Sequence, residues 1–250
     1  ISPTGDTWNS VVRDLRRIKW VDDKALGIAG RWPTISLDRS EAMIALCNLA
    51  HQSLSPQNRY LWTRERIQGY AEDSIAAAMS VVDLLLARFN PAGPMKDAEF
   101  AAARLRIEAD IAHDPNEMHR TVLSKMLEAV VATLRINYYL PDRFALCLRI
   151  DPTYLANAER PERPYATFFV HGCGFDGFHN RFQDIARGGL RVIRTTSLAQ
   201  HTRESERLFD EVYGLSWAQQ LKNKDIPEGG SKAAILLEPG ATVDRCVKAF

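Results

Sequence analysis

Residues 218–237 read Ala-Gln-Gln-Leu-Lys-Asn-Lys-Asp-Ile-Pro-Glu-Gly-Gly-Ser-Lys-Ala-Ala-Ile-Leu-Leu. The first part closes a helix that the spacing of Leu208, Val212, Leu215 and Leu221 predicts from about Thr202 to Lys222. Pro227 and Gly229-Gly230 then punctuate the chain. Ala233 to Leu237 is a short apolar run of the kind a buried strand shows. A helix, a glycine turn and a strand in that order predict an α/β layer. Gln219 and Lys222 are three positions apart, so they share one helix face near its C-terminus. Lys232 follows the Gly-Gly pair and enters the apolar strand, where its head group is partly buried. Burial and a second cation nearby both disfavour an ammonium, which is how a lysine is brought toward acid–base work near neutral pH.

Working back from that stretch, Arg187-Gly188-Gly189-Leu190-Arg191 sets two cations around a glycine pair. Glycine lets backbone approach a ligand closely, and the flanking cations suit a carboxylate. Cations together with a lysine at a glycine turn are what a small dicarboxylate needs. Further strands are predicted at Phe144 to Ile150, at Ala166 to Val170 and at Phe178 to Ile185. In the last of these, Phe178, Asn180, Phe182 and Asp184 alternate with His179, Arg181, Gln183 and Ile185.

Residues 1–140 read differently. Asp38 or Ser40 is placed to cap a helix through Met43, Ile44, Leu46, Cys47 and Leu49. A long helical stripe runs from about Asn58 to Phe89 through Leu61, Ile67, Ala71, Ile75, Met79, Val82 and Leu86 despite Gly69. Asn90-Pro91-Ala92-Gly93-Pro94 breaks it. Asp97 to Ile111 forms another helix. Asp114-Pro115-Asn116 opens the next, with Leu123, Met126, Leu127, Val130 and Leu134 on one face. Arg13, Arg16, Arg17, Arg104 and Arg106 have acids nearby and read as parts of solvated faces. The fold class is therefore mixed α/β: a mainly helical region at 1–140, then strands and a long helix at 141–250. No internal repeat is visible.

Composition narrows the partners. Among 250 residues, 46% are hydrophobic and 25% charged, ordinary globular proportions that exclude a disordered chain. Lys+Arg 32 against Asp+Glu 31 leaves a net charge of +1, so neither nucleic acid nor an anionic membrane is expected as partner. The stretch from Ile75 to Phe89 holds Ser80, Asp83 and Arg88 and is too short and polar to span a bilayer, which takes about 20 apolar residues. Cys47, Cys147, Cys173 and Cys246 form no CxxC pair and read as buried free thiols of a reducing compartment. No signal-peptide pattern opens the chain. Starting at Ile1 and stopping at Phe250, it reads as a fragment of a longer protein.

The order Arg-Gly-Gly-Leu-Arg, then a helix ending in Gln-x-x-Lys, then Pro-x-Gly-Gly-x-Lys resembles the glutamate dehydrogenases, specifically the large NAD-dependent type. The similarity covers about Phe144 to Leu237. The resemblance implies that Lys232 is the catalytic lysine, polarising the substrate carbonyl and assisting the carbinolamine and imine steps. It implies that Gln219 and Lys222 hold the α-carboxylate. Arg187 stands where smaller relatives carry a lysine near the side-chain carboxylate, with Gly188 and Gly189 shaping the backbone there. The activity so implied is oxidative deamination of L-glutamate to 2-oxoglutarate and ammonia, part of glutamate catabolism, with hydride passing to a nicotinamide. A homo-oligomer inside the cell, in cytoplasm or mitochondrion, is implied as well.

Three departures stand out. Arg187 replaces a lysine, and the two cations are not equivalent. Lys222 and Lys232 are closer together than in the smaller enzymes, so the turn between them is shorter. Ala233-Ala234 replaces a Gly-Gly pair. The family's catalytic aspartate has no convincing counterpart after Lys232, where Asp244 is the only aspartate. No GxGxxG follows a strand, so this stretch is expected to carry no dinucleotide-binding fold and no cofactor-binding residue. NAD would then be bound by a domain missing from this chain, which would stop inside the substrate-binding domain and be inactive alone. The competing reading is a helical regulatory or interaction module with a degenerate substrate fold.

Other motifs are weaker. Gly229-Gly230-Ser231-Lys232 lacks the GxxxxGK[ST] order of a phosphate loop. His171, Cys173 and His179 lack a fourth ligand and zinc-site spacing, so no metal is assigned. His179 and Asp184 read as polar residues at a surface or core edge. Arg191, Arg194 and Arg203 read as a solvated face.

Overall fold

The structure is a computed structural model that describes residues 17–222 and 227–250, together with Trp8, Val12 and Leu15. Arg13, Arg16, Asn223, Lys224, Asp225 and Ile226 lie outside the described residues. The protein is mixed α/β, with helices preceding a seven-stranded sheet.

The helices are α1 (Asp23–Arg31), α2 (Leu37–Leu54), α3 (Arg64–Asp73), α4 (Ile75–Arg88), α5 (Asp97–Ala112) and α6 (Glu117–Ala132). Their starts follow capping chemistry: the Asp22 carboxylate accepts from the Lys24 amide at 2.7 Å, and the Asn116 side chain accepts from Met118 N–H at 2.9 Å. Ser36, rather than Asp38 or Ser40, caps α2 by accepting from the Arg39 amide. The long stripe at 58–89 is two helices, not one. Gly69 leaves it intact, and Ser74 divides it, its hydroxyl donating to Asp114 at 2.7 Å and lying 2.9 Å from His119 Nδ1. A side chain with strong partners in a neighbouring segment competes with the helix for its backbone.

After α6 come β1 (Thr133–Ile136), β2 (Leu146–Ile150), β3 (Ala166–Gly172), β4 (Phe175–Arg181), β5 (Ala186–Arg187) and β6 (Leu190–Ile193). Helices α7 (Leu198–Glu206) and α8 (Leu208–Leu221), strand β7 (Gly229–Leu237) and helix α9 (Val243–Ala249) complete the chain. Leu134, expected on a helix face, lies in β1 and is exposed. The helix expected at 202–222 starts at Leu198 and breaks at Arg207. The strand expected at 178–185 begins earlier and ends earlier. Gly174, at φ 77°, lets a tight turn join β3 to β4. Phe178, Asn180 and Phe182 do bury one common face, whereas Asp184 is exposed and off the strand.

The sheet runs β1-β2-β3-β4-β7-β5, with β6 also on β7; β1 to β4 and β7 are antiparallel neighbours, while β5 and β6 lie parallel to β7. Register places side chains in rows across β2, β3, β4 and β7. One row is Leu146, His171, Asp176 and Leu236; the next is Leu148, Phe169, Phe178 and Ala234; the third is Ile150, Thr167, Asn180 and Lys232. This face packs under α8, where Phe178 meets Phe209 at 5.1 Å between ring centres. A single apolar cluster continues from these rows into α2, α4 and α6.

Two clusters of charged side chains are buried among the polar groups of the interior. Asp176 on β4 pairs with Arg64 of α3 and accepts from Asn48 of α2 at 3.1 Å and from His171 at 2.8 Å. Arg17 is not part of a solvated face. It is buried with Arg143 around Asp38 and Glu41, while Arg104 and Arg106 are at or near the surface. All four cysteines are free; Cys47 and Cys246 are buried, but Cys147 and Cys173 are only half-buried.

Candidate functional site

Strand β7 organises the site. Its outer edge is shared by β5, which pairs with Gly229 and Gly230, and β6, which pairs with Ala233 to Leu236. Gly188 and Gly189 form the step between those strands and cross directly over Ser231 and Lys232. A Cβ on Gly188 would overlap the carbonyl of Ser231, so only glycine fits there. Gly189 accepts from the Ala233 amide at 3.0 Å, and a Cβ placed on it would stand 3.7 Å from Lys232 Nζ.

Helix α8 closes the opposite wall. Gly230 lies against its backbone, close enough that a Cβ would overlap Ser216 and Gln220, and its amide donates to Gln220 Oε1 at 2.6 Å. The glycines of Pro-Glu-Gly-Gly-Ser-Lys thus let strand and helix approach, which sets Lys232 beside the last turn of α8. Lys232 lies inside β7 rather than after a turn, because the strand already begins at Gly229.

The cleft between them, open to solvent on one side, has a volume of about 400 Å³, within the range of small-molecule sites. Arg187, Gly188, Gly189, Gln219, Lys222 and Lys232 all line it. Leu215, Ala218 and Ser231 complete the lining and were not anticipated from the sequence. Leu215 and Ala218 stand four and one positions before Gln219, so the helical spacing that pairs Gln219 with Lys222 contains the signal that finds them.

Three cations converge here. Arg187 has Glu228 at 3.9 Å, while among the described residues no ion pair engages Lys222 or Lys232. The cleft therefore presents net positive charge to a ligand, with one half-buried ammonium at its floor and two more exposed cations at its sides. Such a site can bind an anion of two carboxylates and place an ammonium on a carbonyl oxygen between them. Arg191, outside the lining, is paired with Glu211 at 2.9 Å.

Beside Ser231, His179 Nε2 lies 2.8 Å from the Ser231 hydroxyl; burial, helped by Arg181, lowers the pKa of this ring. His171 engages Asp176 on the other face of the sheet, so the two histidines share no site. Burial alone would raise the Asp176 carboxyl, but Arg64 and His171 outweigh it and hold the group well below the usual carboxylate range.

Residues 106–246 match the family model described as bacterial NAD-glutamate dehydrogenase, catalytic domain. The chain belongs to this family. It is 48% identical over 122 residues to glutamate dehydrogenase 2 of Dictyostelium discoideum, an alignment covering 49% of this chain and 12% of that protein. It is 40% identical over 149 residues to the NAD-specific glutamate dehydrogenase of Neurospora crassa, covering 60% and 14%. With the NAD-specific glutamate dehydrogenase of Mycobacterium tuberculosis it shares 28% identity over 228 residues, covering 82% and 13%. The chain thus spans only 12% to 14% of the length of these family members.

A dinucleotide is implied by the family, and the described residues do not fit one. The main sheet is antiparallel through β1 to β4 and β7, and no strand is followed by a GxGxxG turn into a helix. The cleft beside Lys232 is cationic and small, and among the described residues no carboxylate lines it that could take a ribose hydroxyl. Among the described residues no helix is long and apolar enough to cross a membrane.

Proposed function

We propose that this chain supplies the substrate cleft of an NAD-dependent glutamate dehydrogenase, which converts L-glutamate to 2-oxoglutarate and ammonia, and that NAD is held by residues outside it. The observation that carries the reading is the convergence of Arg187, Gln219, Lys222 and Lys232 on one cleft from three separate elements. Lys232, at the floor, donates to the carbonyl oxygen of 2-oxoglutarate and stabilises the charge that develops on it through the carbinolamine and imine steps. Lys222 and Gln219 bind the α-carboxylate from the last turn of α8. Arg187 takes the distal carboxylate from the other wall, with Gly189 holding backbone close to the ligand and Gly188 letting the chain cross over Ser231. Because a guanidinium can bind a carboxylate through two N–H groups, Arg187 favours a dicarboxylate over an amide or apolar side chain. The motif resemblance implies that the full-length protein acts inside the cell as an oligomer.

Lys232→Ala in the full-length enzyme should abolish glutamate turnover while leaving the thermal unfolding midpoint within a few degrees of the wild type. Retained turnover would sink this assignment and favour a non-catalytic binding module.

A further inference from the structure

In the third row of the sheet, Thr167, Asn180 and Lys232 stand side by side on β3, β4 and β7. Thr167 and Asn180 are both 0% exposed. Among the described residues, neither the carboxamide oxygen nor the carboxamide nitrogen of Asn180 has a hydrogen-bond partner, and the Thr167 hydroxyl has none either. Buried polar groups are nearly always paired, so two adjacent ones without partners call for an explanation.

The surroundings narrow it. On this face Asn180 lies between Phe178 of β4 and Phe182, just past the end of the strand. Beyond Thr167 the row continues to Ile150 and then to Thr133 of β1, whose hydroxyl already donates to the Ala129 carbonyl at 2.8 Å. Above it, the Ser216 hydroxyl of α8 already donates within its own helix, to Val212 and Tyr213 carbonyls at 2.8 Å and 2.9 Å. The polar side chain directly opposite Asn180 is Lys232. Side chains paired this way have Cβ atoms about 4.5–5.5 Å apart, within reach of a lysine stem.

We infer that Asn180, backed by Thr167, is a positioning residue for Lys232. Neither bond is made in this structure; in the inferred arrangement the side chains turn so that the Asn180 oxygen accepts one N–H of the ammonium and the Asn180 amide donates to the Thr167 hydroxyl, leaving the remaining N–H groups of Lys232 to the cleft. This fixes a head group that otherwise swings on four methylenes, and it ties the site to the centre of the sheet. The inference rests on the assignment of Lys232 above.

The test uses the full-length enzyme with Asn180→Leu, Asn180→Asp and Lys232→Ala. Misplacing a reacting group by about 1 Å costs on the order of 100-fold in rate, so N180L should lower kcat by about that factor while the KM values for glutamate and NAD stay within about twofold. A second readout is acylation of Lys232 by acetic anhydride at fixed pH, followed by mass spectrometry with the exposed Lys96 as internal reference. N180D should slow it, because a carboxylate holds the ammonium charged and unreactive, and N180L should speed it. Wild-type kcat in N180L, or an unchanged Lys232 labelling rate in N180D, overturns the inference. If N180L does not fold, the labelling of N180D decides alone. An active K232A would instead overturn the lysine assignment itself, so the two failures are distinguishable.

Discussion

At the scale of single residues, the two glycines of Arg-Gly-Gly-Leu-Arg have different tasks. From sequence, both are expected to be places where backbone meets a ligand. At Gly188 the close neighbour is the protein's own Ser231 carbonyl, because the chain there steps from one partner segment of β7 to the next. At Gly189 an added methyl meets only Lys232 Nζ at an ordinary van der Waals distance of 3.7 Å. Gly188→Ala should therefore destabilise the fold by about 1–3 kcal/mol or more, as forced overpacking does. Gly189→Ala should unfold near the wild-type temperature and show its effect in glutamate kinetics. Calorimetry of both variants checks this, and equal melting temperatures would contradict the packing argument.

At the scale of elements, α8 offers the cleft one face, with Leu215, Ala218, Gln219 and Lys222 at helical spacing. In the proposed function the apolar pair would pack against the ligand's methylenes while the polar pair reaches its carboxylate. A charge-assisted hydrogen bond contributes about 1.5–3 kcal/mol. Lys222→Ala should accordingly raise KM for glutamate roughly 10- to 100-fold with kcat largely kept, and an unchanged KM would count against the carboxylate role. The helix was legible in the sequence, but its break at Arg207 was not. The same holds for the division of the 58–89 stripe at Ser74, whose partners Asp114 and His119 are about 40 residues away. Periodicity reports which face is apolar, and remote hydrogen bonds decide where the helix stops.

At the scale of the whole molecule, the buried polar cluster on Asp176 joins helices α2 and α3 to the sheet, and the histidines near it make stability depend on pH. Burial, reinforced by Arg64, pushes the pKa of His51 down to about 3, and the same causes push His201 to about 4. Asp176 opposes both shifts without cancelling them. Below about pH 6.5 the unfolded chain takes up a proton on His51 that the folded protein refuses, so stability falls as pH falls toward 3. The loss is about 1.4 kcal/mol per pH unit for each such ring. His171, which Asp176 holds above the ordinary imidazole range against its burial, contributes its stability below pH 6.5 and does not offset this loss. Urea unfolding at pH 6.5 and pH 5 should show that slope, reduced in His51→Gln; a flat profile would mean the ring is protonated in the fold.

The sequence by itself showed the mixed α/β class, the helices that precede the sheet and strands near 144–150 and 166–170, and it marked Arg187, Gly188, Gly189, Gln219, Lys222 and Lys232 as candidates. These follow from local physics: apolar period, glycine punctuation and charge beside glycine need no knowledge of the remote chain. Tertiary structure alone decided that β7 is a nine-residue strand with Lys232 inside it, that β5 and β6 share its outer edge, and that Asn180 stands opposite the lysine. It also decided that Arg17 is buried with Arg143 rather than solvated. Strand register and ion pairing are contacts between segments tens to more than a hundred residues apart. A single strand's alternation shows which side chains share a face, but only the neighbouring strand fixes which of them meet.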